Sequence, residues 1–143
     1  MRLNSAAFEN GGMIPDKYTC HGQNINPPLH IQDIPKDTKS LVLITDDPDA
    51  PGGVFVHWVV YNIPVINMIP ENSLPGVPGI NDYEKELYTG PCPPSGIHRY
   101  FFKCFALNAS LSLESGAAQQ TVIEAMQEHV LESTELMGRY QNK

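Results

Sequence analysis

Basic residues are scarce in this sequence. Nine Lys and Arg stand against 16 Asp and Glu, which gives a formal net charge of −7 at pH 7. Proteins that bind nucleic acids or anionic membranes generally present a basic face, so this composition argues against both kinds of partner. A small anion site is still compatible with it, because a few side chains are enough to make one pocket locally positive.

Long apolar stretches are also missing. The longest nearly apolar run, residues 54–61, contains His57 and is much shorter than the ~20 residues that a membrane-spanning helix needs. The N-terminal segment lacks the apolar stretch of a secretory signal. We therefore expect no membrane insertion and a cytoplasmic location.

Cysteine is rare, with Cys20, Cys92 and Cys104 at wide spacing. An odd number of cysteines without a Cys-x-x-Cys pair is typical of a reducing compartment. We therefore interpret them as reduced thiols. One disulfide is compatible with the sequence and would leave at least one thiol.

Several motifs of catalysis and cofactor binding are absent. The sequence contains no His-Glu-x-x-His, no Walker loop, no Gly-x-Gly-x-x-Gly and no Gly-x-Ser-x-Gly. Zinc would require distant loops to converge, because no ligand spacing links the candidates Cys20, His21, Cys92, His98 and Cys104. We expect no metal, no cofactor and no activated serine.

Proline and glycine, in contrast, are abundant. The 143 residues include 13 Pro and 11 Gly, which disfavours long helices and is typical of loop-rich, mainly β chains. The length fits one domain, and 41% apolar residues suffice for a core. We predict a single domain over residues 1–143.

Three segments have the composition of β-strands. Residues 41–45 (LVLIT) are a short apolar run that predicts a buried strand. Residues 54–63 (VFVHWVVYNI) are apolar on both faces and predict a central strand. Residues 100–107 (YFFKCFAL) are rich in aromatic residues and predict a third strand. Residues 46–53 contain two prolines and two glycines and predict a loop. The seven prolines and four glycines of residues 64–99 predict a long structured excursion, a feature that is usually functional.

A helical period replaces the β pattern near residue 119. It predicts an amphipathic helix over residues 119–137, with Thr121 and Glu124 as a capping box and Gly138 as the residue that ends it. The apolar stripe consists of Val122, Ile123, Met126, His129, Val130 and Met137. We expect this helix to pack against a mainly antiparallel β domain.

Two stiff segments carry polar side chains. The segment DDPDAP (46–51) follows a predicted buried strand, and its carboxylates repel one another unless a partner uses them; an Asx-turn at the strand end is the structural alternative. The segment GPCPPSGIHRY (90–100) is a Pro/Gly loop that leads into a strand. In an extended chain His98 and Tyr100 share one face, whereas Arg99 points to the other face, where we expect it to bind a carboxylate of a neighbouring loop.

His57 lies inside the strongest predicted strand, where a histidine is usually a core residue with satisfied hydrogen bonds. If the strands at 41–45 and 54–63 are neighbours, Asp47 is placed to accept a proton from one ring nitrogen, which leaves the other nitrogen for a ligand. One carboxylate, two histidines and a tyrosine then suit a small oxyanion such as phosphate or sulfate, because imidazole and phenol groups donate hydrogen bonds.

In combination, these motifs resemble the phosphatidylethanolamine-binding protein family, also called the Raf kinase inhibitor protein family, and in particular its bacterial and archaeal branch. The similarity is carried by LITDDPDAP (43–51), His57, GPCPP (90–94) and GIHRY (96–100), and it covers most of the chain. Either motif alone is moderately specific. Both motifs in order, with a histidine between them, are strongly so.

The resemblance implies an antiparallel β-sandwich with a small anion pocket at one end. Carried over residue by residue, the ligand-binding pocket comprises Asp47, Pro51, His57, Pro93, Pro94, His98 and Tyr100. The expected ligand is a phosphorylated small molecule or a lipid headgroup. The resemblance does not imply an enzyme.

Two other functions stay open. The family name suggests an inhibitor or regulator of a kinase or protease, with a regulatory protein partner, and a homodimer is a further expectation from the resemblance. A hydrolase that uses Asp47, His57 and His98 for acid–base chemistry is the third candidate. It lacks an identified nucleophile, since Cys92 is interpreted as a small residue that fits a proline turn.

Overall fold

Two antiparallel sheets and one helix make up the structure, a computed structural model that describes residues 1–142. The smaller sheet has the strand order β1-β2-β5, and the larger sheet has the order β6-β4-β3-β7-β8. The strands are β1 (Arg2–Asn4), β2 (Leu29–Gln32), β3 (Ser40–Asp47), β4 (Phe55–Ile63), β5 (Met68–Ile69), β6 (Val77–Pro78), β7 (Ile97–Leu107) and β8 (Val130–Gln141), and the helix α1 is Gln119–Met126.

The main core lies between the two sheets. Leu3 and Ile31 of the small sheet belong to one buried cluster with Leu43, Trp58 and Phe102 of the large sheet. Burying a large apolar side chain contributes about 1.5–3 kcal/mol, so this layer is the main attraction between the sheets. The predicted antiparallel β-sandwich is confirmed.

Strand β3 is covered on both faces. Leu41 and Leu43 point into the core between the sheets, whereas Val42 and Ile44 belong to a second buried cluster that includes residues of α1. This double burial explains why β3 is apolar at successive positions rather than at alternate ones. It also confirms that α1 packs against the sheet.

The strands β3 and β7 extend beyond the segments predicted for them. β3 continues through Asp46 and Asp47, which the sequence analysis assigned to a loop, and β7 begins at Ile97. The ladder between the two strands still pairs Asp46 with Phe101. A carboxylate is tolerated inside this strand because Lys103 of β7 lies 2.9 Å from Asp46.

The predicted C-terminal helix is correct only as far as Met126. α1 begins after Ala118 without a side-chain cap, so the predicted capping box is wrong, and the residues after α1 form β8, which pairs with β7 along its length. β7 would otherwise expose a row of unpaired backbone groups, and this pairing overrides the helical spacing. No helix within residues 1–142 is both long and apolar enough to cross a membrane.

Residues 64–99 contain short elements, as expected for so long a segment. β5 completes the small sheet, and β6 pairs with the edge of the large sheet at Val60 and Tyr61 of β4. Pro78 is tolerated in β6 because an edge strand needs only one row of backbone hydrogen bonds. The segment after β6 then runs back across the end of β4 and lines the cavity described below.

The interpretation of all cysteines as thiols is wrong. Cys20 and Cys92 form a disulfide with their Cα atoms 5.5 Å apart, although 72 residues separate them in sequence. Cys104 is a buried thiol, and burial raises its pKa to about 12. The cysteine content therefore gives no support for a reducing compartment, and the cytoplasmic location stays a prediction.

Gly138 was predicted to end the helix, but it lies in β8. At this point residues 11–14, which precede the 3-10 turn Asp16–Tyr18, cross over the strand. A Cβ atom at this position would lie 2.5 Å from Ile14 Cγ1 and 2.8 Å from Phe8 Cε2. The backbone of the same crossing is joined by hydrogen bonds between residues 11–14 and 137–139. Glycine is required here for close approach.

We predict that Gly138→Ala lowers the free energy of unfolding by about 1–3 kcal/mol, the usual cost of overpacking a buried site. Gly52→Ala is the matched control, since a Cβ atom there meets no atom within 4 Å. Chemical denaturation of both variants and the wild type measures the effect. Equal midpoints for Gly138→Ala and the wild type would contradict the close packing of this crossing.

Candidate anion-binding site

A cavity of about 200 Å³ opens where β3 ends and where β4 and β7 begin. All seven residues predicted for the pocket line it, and the structure therefore brings them together: Asp47, Pro51, His57, Pro93, Pro94, His98 and Tyr100. The remaining lining residues are Ala50, Phe55, Tyr83 and Cys92. The role of these residues in ligand binding stays a prediction.

A larger cavity of about 310 Å³ lies elsewhere and has a different character. It is lined by neutral side chains such as Asn26, Asn72 and Trp58, together with one carboxylate, Glu86. Its lining residues include no histidine and no basic side chain. Of these two cavities, only the smaller one is lined by histidine side chains.

Strand geometry explains the arrangement of the β7 side chains. Successive residues of a strand point to opposite faces, and accordingly His98 and Tyr100 are buried in the cavity wall while Arg99 is exposed. Arg99 Nε and Nη2 donate to the two carboxylate oxygens of Asp49, at 2.9 and 2.8 Å. These hydrogen bonds lower the pKa of Asp49 to about 2. The predicted contact of Arg99 with a carboxylate of a neighbouring loop is confirmed.

Asp47 pairs with His98, not with His57 as the sequence analysis suggested. His98 Nδ1 donates to Asp47 Oδ2 at 2.6 Å, and both side chains are almost fully buried. The other carboxylate oxygen accepts the backbone N–H of Asp49 at 2.8 Å, which is the Asx-turn considered as the structural alternative. Asp47 thus holds both the following loop and the imidazole of His98.

His57 is oriented by the backbone instead. Its Nδ1 donates to the carbonyl oxygen of Thr89 at 2.7 Å, so the neutral ring carries its proton on Nδ1 and has a lone pair on Nε2. Burial lowers the pKa of His57, and this outweighs the hydrogen bond to Thr89 and the charges of Asp47 and Asp82, which act in the opposite direction. His57 is therefore a neutral hydrogen-bond acceptor at neutral pH.

Aromatic rings surround the two histidines. The His57 ring lies 5.3 Å from that of Tyr100 and 5.6 Å from that of Tyr83, both in edge-on geometry, and the rings of His98 and Tyr100 are stacked at 6.4 Å. Burial raises the pKa of both phenols, and the charge of Asp47 adds to the effect. Both hydroxyl groups stay protonated near neutral pH and can donate a hydrogen bond, and Asp47 is an acceptor within reach of the Tyr100 hydroxyl.

The sequence analysis missed two residues that support His57, namely Asn81 and Thr89. The side-chain amide of buried Asn81 donates to the His57 carbonyl at 3.0 Å and to Thr89 Oγ1 at 3.1 Å, while its oxygen accepts the backbone N–H of Tyr83 at 2.9 Å. Asn81 therefore holds the His57 backbone on one side of the His57–Thr89 contact and the Thr89 side chain on the other. The only available signal was the turn-forming pair Asn81-Asp82, which does not indicate a buried role.

Within residues 1–142, no group of three or more His, Cys, Asp or Glu side chains converges in a way that would hold a metal ion. In the cavity, Asp47 and His98 are hydrogen-bonded to each other, and His57 is hydrogen-bonded to the backbone carbonyl of Thr89. The arrangement is that of a hydrogen-bonding site with one acceptor imidazole and one imidazole backed by a carboxylate.

Comparison with known proteins identifies the class to which this fold and cavity belong. The family model of the phosphatidylethanolamine-binding proteins matches residues 4–141, so the chain is a member of that family. The crystal structure of CT736, a phosphatidylethanolamine-binding protein homologue from Chlamydia trachomatis, has a TM-score of 0.96 and 42% identity, covering 99% of this chain and 97% of CT736. YbcL from E. coli has a TM-score of 0.91 and 27% identity, with coverage of 99% and 98%.

Relatives named UPF0098 proteins match this chain over nearly its full length. A UPF0098 protein from Methanothermobacter thermautotrophicus is 48% identical over 98% of each chain. A UPF0098 protein from Chlamydia trachomatis is 43% identical over 99% of each chain. The predicted resemblance to the family is confirmed along the whole length of these relatives.

We predict that the free energy of unfolding decreases as the pH is lowered from about 7 to about 5, and that His57 contributes to this slope. The unfolded chain binds a proton on this imidazole near pH 6.5, whereas burial lowers the pKa of His57 in the folded state. The unfolded state then holds more protons in this interval, so acidification favours unfolding. Denaturation curves at several pH values measure the slope.

The variant His57→Gln keeps a side-chain donor for Thr89 but does not titrate, and we expect a shallower slope. NMR titration of the His57 ring signal in the folded and the denatured protein supplies an independent check. An identical pH dependence for wild type and variant, with the His57 signal titrating alike in both states, would contradict the burial argument.

Proposed function

We propose that the protein binds a small phosphate-type oxyanion, either a phosphorylated small molecule or a phosphorylated lipid headgroup. The observation that supports this most directly is the Asp47–His98 hydrogen bond of 2.6 Å. Because Nδ1 of His98 is occupied by the carboxylate, a second proton on this ring sits on Nε2. The doubly protonated ring offers an N–H to a ligand while Asp47 balances its charge.

The neutral His57 ring favours a particular kind of oxyanion. Its Nε2 is an acceptor, because Nδ1 donates to Thr89, and an acceptor is satisfied only by a ligand that itself carries a proton. A phosphate monoester gains a proton near pH 6, whereas a sulfate ester does not in this range. One donor imidazole, one acceptor imidazole and the phenols of Tyr83 and Tyr100 thus match a singly protonated phosphate group.

The expected affinity for a bare anion is low. Three charge-assisted hydrogen bonds contribute roughly 4–9 kcal/mol, and association costs at least about 4 kcal/mol, which leaves a Kd in the millimolar range. A physiological ligand therefore needs further contacts. The apolar rim of Pro51, Phe55, Tyr83 and Pro94, all at least partly exposed, is suited to the organic part of a phosphoester.

The two alternative functions would use the same cavity. A regulator of a kinase or protease would present a phosphorylated side chain to it, and the support for this candidate is the family name alone. A hydrolase would use the Asp47–His98 pair as its base. The lining residues include no serine, threonine or lysine, and the Cys92 sulfur is bonded to Cys20. Turnover of a phosphomonoester panel that disappears in His98→Gln would favour the hydrolase.

We predict that inorganic phosphate shifts the ring signals of His57 and His98 together in an NMR titration, with a Kd in the millimolar range. His98→Gln and Tyr100→Phe should each weaken the response of His57 by about tenfold, the effect of losing one hydrogen bond of ~1.4 kcal/mol. The exposed His30 on the small sheet is the internal control and should not respond. Silence of both cavity histidines in the folded protein would contradict an anion site.

We predict that sulfate binds more tightly as the pH is lowered from about 8 to about 5.5, the range in which imidazoles take up protons. Sulfate does not titrate there, so its affinity reports protonation of the protein alone. Phosphate at pH ~6 should bind more tightly than sulfate, because it supplies a proton to His57. A flat sulfate affinity would exclude an imidazolium donor in the cavity, and equal affinities would exclude His57 as an acceptor.

A further inference from the structure

The Cys20–Cys92 disulfide joins the candidate anion site to the protein surface. Both cysteines are exposed residues: Cys92 lines the cavity together with His57 and His98, and Cys20 lies in the loop that follows the 3-10 turn. One cysteine of the bond therefore borders the cavity and the other lies outside its lining. Neither sulfur belongs to the hydrogen-bonding set proposed for phosphate.

The segments that carry the two cysteines are held together independently of the S–S bond. The Cys20 backbone N–H donates to the Pro91 carbonyl at 3.1 Å, and the Gly90 N–H donates to Asn24 Oδ1 at 2.7 Å. A Cβ atom on Gly90 would lie 2.2 Å from the Tyr18 carbonyl oxygen. Because of these contacts, the sulfurs stay neighbours when the disulfide opens, and the bond is able to re-form in place.

Cys20 is the sulfur that is better prepared to leave. Its Sγ lies 3.7 Å from His21 Nδ1, and the same nitrogen lies 3.0 Å from the Tyr140 hydroxyl. That hydroxyl donates to Asp16 Oδ1 at 2.8 Å, so its oxygen accepts the N–H of His21. The one proton on Nδ1 is thus shared between the Tyr140 oxygen and the Cys20 sulfur. An imidazole N–H beside a sulfur stabilises the thiolate, and in thiol–disulfide exchange the better-stabilised thiolate leaves faster.

We propose that Cys20–Cys92 is a thiol–disulfide exchange site for a low-molecular-weight thiol that carries an anionic group. The proposal rests on the anion site, where His98 and Tyr100 hold the anionic group while the thiol reaches Cys92. The incoming thiolate forms a bond to Cys92 Sγ as the Cys92–Cys20 bond breaks, and the electron pair leaves on Cys20. The first step exchanges one disulfide for another without net oxidation. A second thiol then reduces Cys92 and is itself oxidised to the symmetrical disulfide.

The wild-type protein tests the direction of exchange. The oxidised full chain is treated with 2-mercaptoethanesulfonate or with uncharged 2-mercaptoethanol, quenched in acid and mapped by mass spectrometry, with rates compared per thiolate. We expect the anionic thiol to open the bond about tenfold faster and to form its adduct on Cys92. Adducts on Cys20, equal rates, or no opening by either thiol would overturn the proposal.

Matched single-thiol variants test the role of the cavity. Cys20→Ser retains Cys92, Cys92→Ser retains Cys20, and buried Cys104, whose pKa is raised to about 12, stays unreactive in both. Each variant is treated with the symmetrical disulfides of the same two probes. The ratio of the rate with the anionic reagent to the rate with the uncharged reagent should be about tenfold larger at Cys92 than at Cys20. Tyr100→Phe or His98→Gln should abolish this difference. A preference that is absent at Cys92, or that survives both substitutions, would refute the exchange site.

A phosphate titration of Cys20→Ser separates this proposal from the one on which it rests. If phosphate shifts the His57 and His98 signals while Cys92 shows no preference for the anionic reagent, the exchange proposal is wrong and the anion site stands. If phosphate also produces no response in the folded variant, both proposals fall.

Discussion

Two neighbouring carboxylates at the end of β3, Asp46 and Asp47, are buried, and an unpaired buried charge costs several kcal/mol. Each has its partner on β7, Lys103 for Asp46 and His98 for Asp47. Because adjacent strand residues face opposite sides, one pair lies on one face of the sheet and the other pair forms a wall of the cavity. The position of His98 follows from the burial of Asp47, and Tyr100 is placed with it by the alternation of the strand.

The features that depend on local geometry could be predicted from the sequence. Strand alternation correctly separates Arg99 from His98 and Tyr100, and the apolar runs correctly mark the central strands. The features that depend on partners distant in sequence could not be predicted. β8 has the apolar spacing of a helix and becomes a strand because β7 needs a partner. His57 pairs with Thr89 instead of Asp47 because of how separate loops meet in space. The same is true of the approach of Cys20 to Cys92.

Membership in the phosphatidylethanolamine-binding protein family describes the scaffold, whereas the chemistry of the cavity has to be read from its own side chains. The two histidines differ in role because one is backed by a carboxylate and the other by a backbone carbonyl. Asn81 supports this difference by donating to the His57 backbone carbonyl and to the Thr89 side-chain hydroxyl. The difference between the two histidines thus depends on an amide that does not line the cavity.

The crossing of residues 10–14 over β8 also constrains how the chain reaches its native state during synthesis. Asn10 Oδ1 accepts the backbone N–H of Met137 across a separation of 127 residues, and contacts between such distant segments are slow to form because a long loop must close first. Until β8 has left the ribosome, β7 is an open sheet edge that can pair with other chains. Strand β8, the last of the described strands in chain order, is therefore the one that protects the nascent sheet from intermolecular association.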